Sequence, residues 1–320
     1  MRIINVLAVM IVLVTGSAKA QEAAPFRTRN LSPLISVFGL PVWESSLPGE
    51  GPTFGFVSDI ANHYSLSRKG NEELILDGET WKNSVFYRYK ILDEVNIGIE
   101  LPFYEISGGF LDDTVDAWHS FFGMPDGKRN LREEDGLRYL YKDVGTSSYF
   151  LDQRSSGIGD IQISFSRKFN GLILKGTFKL PTGDKNILTG SGSTDISISV
   201  FNQKQIMFAG DPAGIFWGAG LIVMNEPKLF TDRVKDWAGF GTLGMGWRVL
   251  PRVGLKLQFD FHSRFYESEL DEMGISSIQV NTGGWWEIDE RRRLNIAIGE
   301  DLMVRTAPDI TIHFDFSWDF

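Results

Sequence analysis

The 320-residue chain contains no cysteine, which excludes disulfides and thiolate metal sites. Basic residues are also in the minority, with 32 Lys and Arg against 41 Asp and Glu and a formal charge of −9. An acidic chain without a basic stripe is a poor nucleic-acid binder, so no nucleic-acid partner is expected. Beyond the first 20 residues no apolar run approaches the ~20 residues of a membrane helix. Strands are therefore the only means by which the mature chain could cross a membrane.

The first residues have the layout of a secretory signal peptide. Arg2 precedes an apolar stretch, Ile3 to Val14, and small residues stand at Ala18 and Ala20. That stretch is too short to span a bilayer as an anchor. We therefore expect residues 1–20 to be a signal peptide that is removed during export.

Alternation of apolar and polar residues is the main pattern in the rest of the chain. In VGLKLQFDFHSRF every second residue from Val253 to Phe261 is apolar, and the residues between them include Lys256 and Asp260. Successive side chains of a strand point to opposite faces, so such a strand is apolar on one face and ionic on the other. The pattern predicts twelve strands, at about 53–63, 80–92, 95–106, 157–168, 172–181, 194–207, 213–225, 236–250, 253–266, 275–288, 293–305 and 308–320.

Most of these segments are near the ~9–11 residues of a tilted membrane strand, whereas strands of globular proteins cluster nearer ~5–6 residues.

The connections between the predicted strands alternate between short and mostly longer ones. Short turns are predicted at 92–94, 169–171, 208–212, 250–252 and 289–292, and longer loops at 64–79, 107–156, 182–193, 226–235 and 267–274. An even strand number, short turns at one end and long loops at the other are typical of outer-membrane barrels, with both termini in the periplasm. The sequence therefore predicts an all-β, closed antiparallel transmembrane β-barrel of about 12 strands over residues 53–320, located in the cell outer membrane.

Aromatic residues distinguish this barrel from soluble alternatives. A secreted β-sandwich would have shorter strands, and a lipocalin-like barrel would turn its apolar face inward. Seven aromatics fall on the predicted apolar faces: Trp81, Tyr87, Tyr89, Trp237, Trp247, Trp286 and Trp318. Each alone would suggest core packing, but the set favours the aromatic girdles of a membrane barrel, with lipid and lipopolysaccharide as partners.

The chain ends on DITIHFDFSWDF, an alternating strand that stops on an aromatic residue. In a soluble sheet it would be an exposed apolar edge and an aggregation hazard. Its residues Phe316, Trp318 and Phe320 resemble the C-terminal signal recognised by the outer-membrane barrel assembly machinery, which is therefore an expected partner.

Six segments occur in an order that resembles one family: RNLSPLISVFGLP (29–41), ELPFYEISGGFLD (100–112), WHSFFGMPDG (118–127), GIGD (157–160), KLPTGD (179–184) and GSGSTD (190–195). The chain resembles domain-of-unknown-function family 3187 of Gram-negative envelope proteins over nearly all of its mature length. The central section is also similar to outer-membrane proteins of aromatic-degradation (meta-pathway) operons, which are presumed uptake channels. The resemblance implies a barrel and brings no established activity.

Inward-facing charges form the first candidate site. Their mixed signs indicate internal salt bridges that brace the barrel and line a small path, whereas a ring of one sign would indicate ion selectivity. The predicted lumen-facing residues are Lys82, Arg88, Lys90, Glu100, Asp160, Lys175, Lys179, Arg248, Lys256, Asp260, Arg264, Glu287 and Asp315.

The second candidate is a helix in the longest loop. Leu111, Val115, Trp118 and Phe122 form one apolar stripe at helical spacing. Such a helix could close the pore as a lid, lie on the lipopolysaccharide surface, or pack on the barrel rim. Since loops on rigid scaffolds often carry function, the lid is one expectation.

Two further segments are candidate sites, and each also has a purely structural interpretation. The Gly- and Ser-rich KLPTGD and GSGSTD motifs favour a turn, with backbone N–H groups that could meet an anion. Residues 21–52 form an N-terminal segment with five prolines and the apolar run SPLISVFGLP. It is expected to enter the barrel from the periplasmic side as a plug, the alternative being a loose tether.

Enzymatic activity is not expected. His262 and Ser263 are neighbours on one strand and therefore face opposite ways, and His313 and Ser317 lie ~13 Å apart along theirs. No catalytic constellation, metal site or cofactor is predicted. The sequence favours a monomeric passive channel for a small or hydrophobic molecule, so a small hydrophobic solute is an expected partner. The alternatives are a non-conducting structural or surface-binding barrel and, third, a lipid-modifying enzyme.

Overall fold

The structure is a computed structural model that describes residues 24–44, 51–92, 94–123, 135–144, 148–302 and 306–320. The predicted signal peptide and the side chains of Trp118 and Phe122 lie outside the described residues. No helix in these ranges is long and apolar enough to cross a membrane. The strands of the described residues are β1 (Thr53–Lys69), β2 (Glu72–Leu92), β3 (Val95–Ser107), β4 (Arg138–Asp143), β5 (Ser148–Leu151), β6 (Ser155–Ile158), β7 (Gln162–Phe169), β8 (Leu172–Lys179), β9 (Thr194–Phe208), β10 (Asp211–Asn225), β11 (Trp237–Leu250), β12 (Val253–His262), β13 (Ser277–Glu287), β14 (Arg292–Asp301) and β15 (Ile310–Asp319), and the helices are α1 (Pro33–Ser36), α2 (Asp112–Phe122) and α3 (Asp271–Gly274).

These strands close into an antiparallel barrel with twelve positions around the ring, here called staves, each filled by one strand or by two short ones. Neighbours along the chain pair from β7 to β15, and β1, β2 and β3 continue the ring to β7. The last strand pairs with the first, from Asn62 opposite Ile310 to Thr53 opposite Asp319, which completes the circle. β6 and β7 both pair with β3 and together form one stave. The predicted fold class and stave number are confirmed.

The two ends of the barrel differ in their connections. One end, here the short-turn end, carries the turns around Glu94, Gly171, Gly210 and Arg252 together with the C-terminal residue Phe320. The other, the long-loop end, carries the connections 108–137, 180–193, 226–236 and 263–276. A left-handed backbone at Gly171 (φ 81°) and Gly210 (φ 93°) makes two of the tight turns possible.

The outward face carries an apolar belt with aromatics at two levels. Trp81 and Trp237 lie toward the long-loop end, and Tyr89, Trp286 and Trp318 toward the short-turn end; all five are exposed. Trp81 and Tyr89 are eight residues apart on β2, so a strand rise of ~3.3 Å and a tilt of ~40° separate the two levels by about 20 Å. That spacing approaches the ~25 Å apolar band of an outer-membrane barrel.

The stave predicted at 157–168 is interrupted in the middle. Phe103 of β3 lies opposite Ile158 and Glu100 lies opposite Gln162, so three residues of this stave face two of β3. Pro102 lies at this point and has no N–H to donate, while its carbonyl accepts a bond from Gly159 (2.8 Å). The resulting bulge turns Asp160 into the interior, where it is buried.

The prediction of a loop at 64–79 is wrong. β1 and β2 continue past the barrel wall as a paired hairpin to Lys69 and Glu72, although β1 leaves β15 at Asn62 and β2 leaves β3 at Glu79. β4 and β5 extend this sheet beside β2. Residues 63–78 with β4 and β5 are called the hairpin cap below.

Candidate functional site: the barrel interior

An N-terminal stretch, residues 24–44, runs through the interior and is called the inner segment below. All of its residues from Pro25 to Trp43 are buried except Ser36. The segment makes one helical turn, α1, which has Pro33 at its first position, where a missing N–H costs no intrahelical bond. Two carbonyls of this turn accept from side chains around it: Ser36 from Tyr104 of β3 (3.4 Å) and Leu34 from Tyr266 of the 263–276 connection (2.6 Å).

Charged residues of the inner segment pair with charges of the wall. Glu100 of β3 contacts Lys82 (2.8 Å), Arg29 (2.5 Å) and Arg27 (3.5 Å). Since the pairs are buried, water screens them little. The network therefore ties the inner segment to β2 and β3.

A second carboxylate extends this network toward β8. Glu44 of the inner segment contacts Lys175 (2.7 Å), Arg27 (3.6 Å) and Arg88 (4.0 Å). The guanidinium of Arg27 also lies over the Phe86 ring, 3.8 Å from its centroid. Glu44, Arg27 and Arg29 were not predicted as site residues, although charges in an otherwise apolar segment were a usable signal.

Lys179 is the centre of a third buried cluster. Its Nζ lies 2.7 Å from Asp160 and 3.1 Å from Asp195, and it donates to the carbonyl of Val37 (3.0 Å). Asp195 in turn accepts from the backbone N–H of Gly39 (2.8 Å). One wall lysine therefore connects two carboxylates with the inner segment.

The glycine- and serine-rich motifs surround the same cluster. The backbone N–H groups of Gly183 (2.8 Å) and Ser191 (3.3 Å) donate to Asp160. Asp184 accepts from the N–H of Asn186 (2.8 Å), which begins a 3-10 turn at Lys185–Ile187. The anion that these loop amides meet is thus a carboxylate of the same chain.

The wall formed by β12–β15 meets the inner segment at Phe26. Gln258 accepts from the N–H of Phe26 (2.7 Å) and donates to its carbonyl (3.4 Å). Lys256 Nζ lies 4.0 Å from the centroid of the Phe26 ring, and the ring meets that of His313 edge-on, with centroids 5.8 Å apart. His313 also bonds Asp59 at 2.6 Å.

Two other predicted residues on this wall are polar partners of asparagines. Asp260 is half-buried and accepts from Asn281 (2.9 Å) as well as from Gln258 (2.7 Å). Asp315 is buried and accepts from Asn295 (3.2 Å).

The remaining predicted lumen residues lie near the ends of the strands. Glu287 pairs with Arg248 (2.8 Å) and Arg293 (2.7 Å) near the short-turn end. Lys90 is half-buried at the same end. The prediction for Arg264 is wrong: β12 ends at His262, so the alternation does not continue to Arg264, which is exposed.

The helix predicted as a lid lies on the outside of the barrel instead. Leu111 and Val115 are buried against the outward-facing Ile60, Ile298 and Ile312. The helix forms as predicted, but Leu111 and Val115, the two stripe residues whose side chains are described, cover the outer wall near the β1–β15 closure rather than the lumen.

Polar groups fix the start of α2 on this outer wall. Glu79 accepts from the backbone N–H of Leu111 (2.6 Å) and Phe110 (3.1 Å). Asn62 donates to Asp112 (3.1 Å) and Glu79 (3.3 Å). Since Asn62 and Glu79 lie on the outward-facing side of β1 and β2, these bonds hold the start of α2 outside the barrel. The prediction that this helix is a lid over the pore is therefore wrong.

The hairpin cap covers the long-loop end. Its Glu72 accepts from Tyr141 (2.8 Å) and, across the mouth, from Ser268 (2.8 Å) and the N–H of Glu269 (2.7 Å). Asp143 accepts from Arg233 Nε of another loop (3.0 Å). The cap therefore joins loops carried by other parts of the ring.

An apolar core connects the cap with the inner segment below it. Leu74, Tyr139 and Tyr141 of the cap belong to the same buried cluster as Leu34 and Phe38. The rings of Phe38 and Phe265 stack with centroids 4.9 Å apart.

Cavities within the described part of the chain include two that lie between the inner segment and the wall. One of about 80 Å³ opens at the short-turn end, between Pro25, Arg27, Asn295 and Asp315. Asp289 also lines it; bonds from Arg292 and from the N–H groups of Arg291 and Arg292 lower the pKa of this turn carboxyl to about 2. It is therefore ionised at neutral pH.

The second cavity lies deeper and measures about 30 Å³. It is bounded by Thr28 and Asn30 of the inner segment and by Asp260, His262 and Gln279 of the wall. Phe26 and its wall partners lie between the two cavities.

The chain is similar to one protein family and to solved structures of outer-membrane proteins. A family model described as a protein of unknown function, DUF3187, matches residues 2–320. The COG4313 outer membrane channel from Pseudomonas putida F1 is 15% identical, with 86% of this chain and 97% of that chain covered and a TM-score of 0.56. A comparison with curated proteins finds no match.

Two hydrocarbon transporters have lower structural similarity. The P. putida toluene transporter TodX is 10% identical, with 85% of this chain and 91% of that chain covered and a TM-score of 0.38. The Ralstonia pickettii toluene transporter TbuX is also 10% identical, with 94% and 96% covered and a TM-score of 0.36. Of the three structures only the first exceeds 0.5, and at its identity it supports the fold alone.

Proposed function

The chain belongs to the DUF3187 family of proteins of unknown function, and we propose from this premise that its barrel is a gated passive channel of the outer membrane. In this proposal the inner segment is a plug that enters from the periplasm, at the short-turn end, and the hairpin cap closes the extracellular end. A small molecule passes when these two closures loosen.

The polar contact between plug and wall is the observation that carries this proposal. Arg27, Arg29 and Glu44 of the plug face Glu100 and Lys175 of the wall, all of them at least half-buried. Buried pairs are costly to break singly, which keeps the closed state populated. After separation both surfaces are ionic and can be hydrated, whereas two apolar surfaces would collapse together.

The outward features support the membrane part of the proposal. The exposed apolar belt with its two aromatic levels fits lipid and lipopolysaccharide partners. Trp318 and Phe320 stack with ring centroids 4.4 Å apart at the end of β15, and we include recognition of this end by the assembly machinery in the proposal. A single closed ring needs no second copy to complete its sheet, which fits a monomer.

Loosening both closures at once tests the channel. The double variant E72Q/E100Q removes the charge that ties the cap across the mouth and the charge that compensates Arg27, Arg29 and Lys82. We expect repeated conductance steps in planar bilayers, more frequent and longer than those of the wild type, because both closures lose their charge-assisted bonds.

The matched control is E73Q/E105Q, which changes the neighbouring Glu73 and, on β3, the outward-facing Glu105. Glu105 pairs only with the exposed Arg154 among the partners described for it, so wild-type behaviour is expected. Silence of a correctly folded E72Q/E100Q barrel would contradict the channel and favour the non-conducting structural or surface-binding barrel.

A further inference from the structure

We infer that the route through this barrel runs between the inner segment and the β12–β15 wall, that Phe26 is its constriction, and that it takes small polar molecules. This inference rests on the proposed channel and adds its path and solute class. Four observations carry it.

The first observation is the position of Phe26 between the two cavities. The larger cavity contacts Pro25 and Arg27, and the deeper one contacts Thr28 and Asn30. Phe26 itself has no exposed surface. It contacts His313 and Gln258, the inward-facing neighbours of Asp315, which lines the larger cavity, and of Asp260, which lines the deeper one. Its ring therefore lies between the two spaces.

The second observation is a row of polar atoms along the wall at the same level. Thr311, His313 and Asp315 are successive inward-facing residues of β15 and are at most 3% exposed. Each has one atom without a hydrogen-bond partner among the described residues: Thr311 Oγ1, His313 Nε2 and Asp315 Oδ1. Buried polar atoms are seldom left unpaired, so this row points to water or a polar solute as the missing partner.

The third observation is the small size of the neighbouring wall residues. In the register of the sheet, His313 lies beside Ala297 and then Gly283, and Thr311 lies beside Gly299. A Cβ added at Gly299 would collide with the Asn281 amide, and one at Gly283 with the backbone of Ile296. The wall is therefore kept thin where Phe26 faces it.

The fourth observation distinguishes this wall from the opposite one. Thr177 and Ser197 of β8 and β9 also carry unpaired hydroxyls, but the inner segment is bound on that side by the Glu44–Lys175 and Arg29–Glu100 ion pairs. The cavity there measures only about 10 Å³. Movement of the inner segment therefore separates it more readily from β12–β15.

The chemistry of the route defines the solute. Lys256 contributes an amine, Asp260 and Asp315 contribute carboxylates, and Gln258 and Asn281 contribute amides. Mixed charges give no field of one sign, and a hydrocarbon would offer no hydrogen bond to the unpaired atoms of Thr311, His313 and Asp315. A small uncharged molecule with several hydroxyl or amide groups, of the size of glycerol or urea, satisfies them best.

Single cysteines test the route, since the natural chain has none to interfere. T311C and T177C are matched variants: both threonines are buried, inward-facing and unpaired at the hydroxyl, but they lie on opposite walls. Because thiol modification follows access, we expect methanethiosulfonate ethylammonium to modify T311C about tenfold faster than T177C in the folded full-length protein. F26A should accelerate modification of T311C, whereas F216A, the same truncation at the buried Phe216 of β10, should not.

Swelling of liposomes in glycerol tests the solute class. In the E72Q background, F26A should raise the swelling rate several-fold and F216A should leave it unchanged. Equal modification of T311C and T177C, or equal swelling with F26A and F216A, overturns the route. If the route is overturned but E72Q/E100Q still conducts, the proposed channel stands without this route. If E72Q/E100Q is silent although T311C is modified rapidly, the proposed channel is rejected.

Discussion

The buried Lys179 shows which properties of an interior side chain can be predicted from the sequence. Alternation on β8 predicts that Lys179 faces inward, but it does not predict what the lysine meets. Asp160 reaches it from the bulge opposite Pro102, and Val37 from the inner segment. Both partners depend on irregular backbone, which a period of two cannot describe. Side-chain direction was therefore accessible from the sequence, and the identity of the partners was not.

Removal of the Lys179 charge should destabilise the folded barrel. K179M leaves Asp160 and Asp195 facing each other without their cation, and breaking a buried pair from one side costs about 3–5 kcal/mol. We expect a lower midpoint of thermal unfolding, measured by the loss of the compact, heat-modifiable band on gels. K168M, at an exposed position of β7, is the control and should behave as the wild type. An unchanged midpoint in K179M would show that the cluster adds nothing to stability.

At the scale of elements, lipid-facing strands and loop elements differ in how far the sequence determines them. A barrel strand must be apolar on its outer face, so β10 and β12 were located by alternation to within a few residues. The extension of β1 and β2 beyond residues 62 and 79 faces other protein segments, and its sequence HYSLSRKG carries no alternation of that kind. Helix α2 was predicted from its stripe, but an apolar stripe does not specify which apolar surface it covers.

A charge in the stripe of α2 should release the helix without opening the barrel. V115D places a carboxylate against Ile60, Ile298 and Ile312, where it has no partner. We expect faster proteolytic cleavage within residues 107–137 and unchanged conductance, because the helix lies outside the lumen. T114D puts the same charge at an exposed neighbour and should change neither. Increased conductance in V115D but not in T114D would restore the lid interpretation.

For the whole molecule, the two ends of the barrel differ in what closes them, and this difference bears on the proposed channel. The short-turn end holds the larger cavity and the ion pairs of the inner segment, while the long-loop end is covered by an apolar core shared by the cap and α1. Loosening at the short-turn end exchanges ionic contacts for water, which hydrates the separated charges. Opening of the cap exposes apolar surface at about 25 cal/mol per Å² without such compensation, which makes the cap the stricter closure in the proposed channel.

The proposed channel has its cap on the extracellular side, and labelling of single cysteines can measure this orientation. K69C lies exposed at the tip of the hairpin cap and R291C lies exposed in a short turn. Short turns of outer-membrane barrels face the periplasm. A membrane-impermeant maleimide should therefore label K69C on intact cells and R291C only after the outer membrane is permeabilised. The reverse pattern would show that the cap faces the periplasm. Equal labelling of both variants in the soluble periplasmic fraction would show that the protein is not in the membrane.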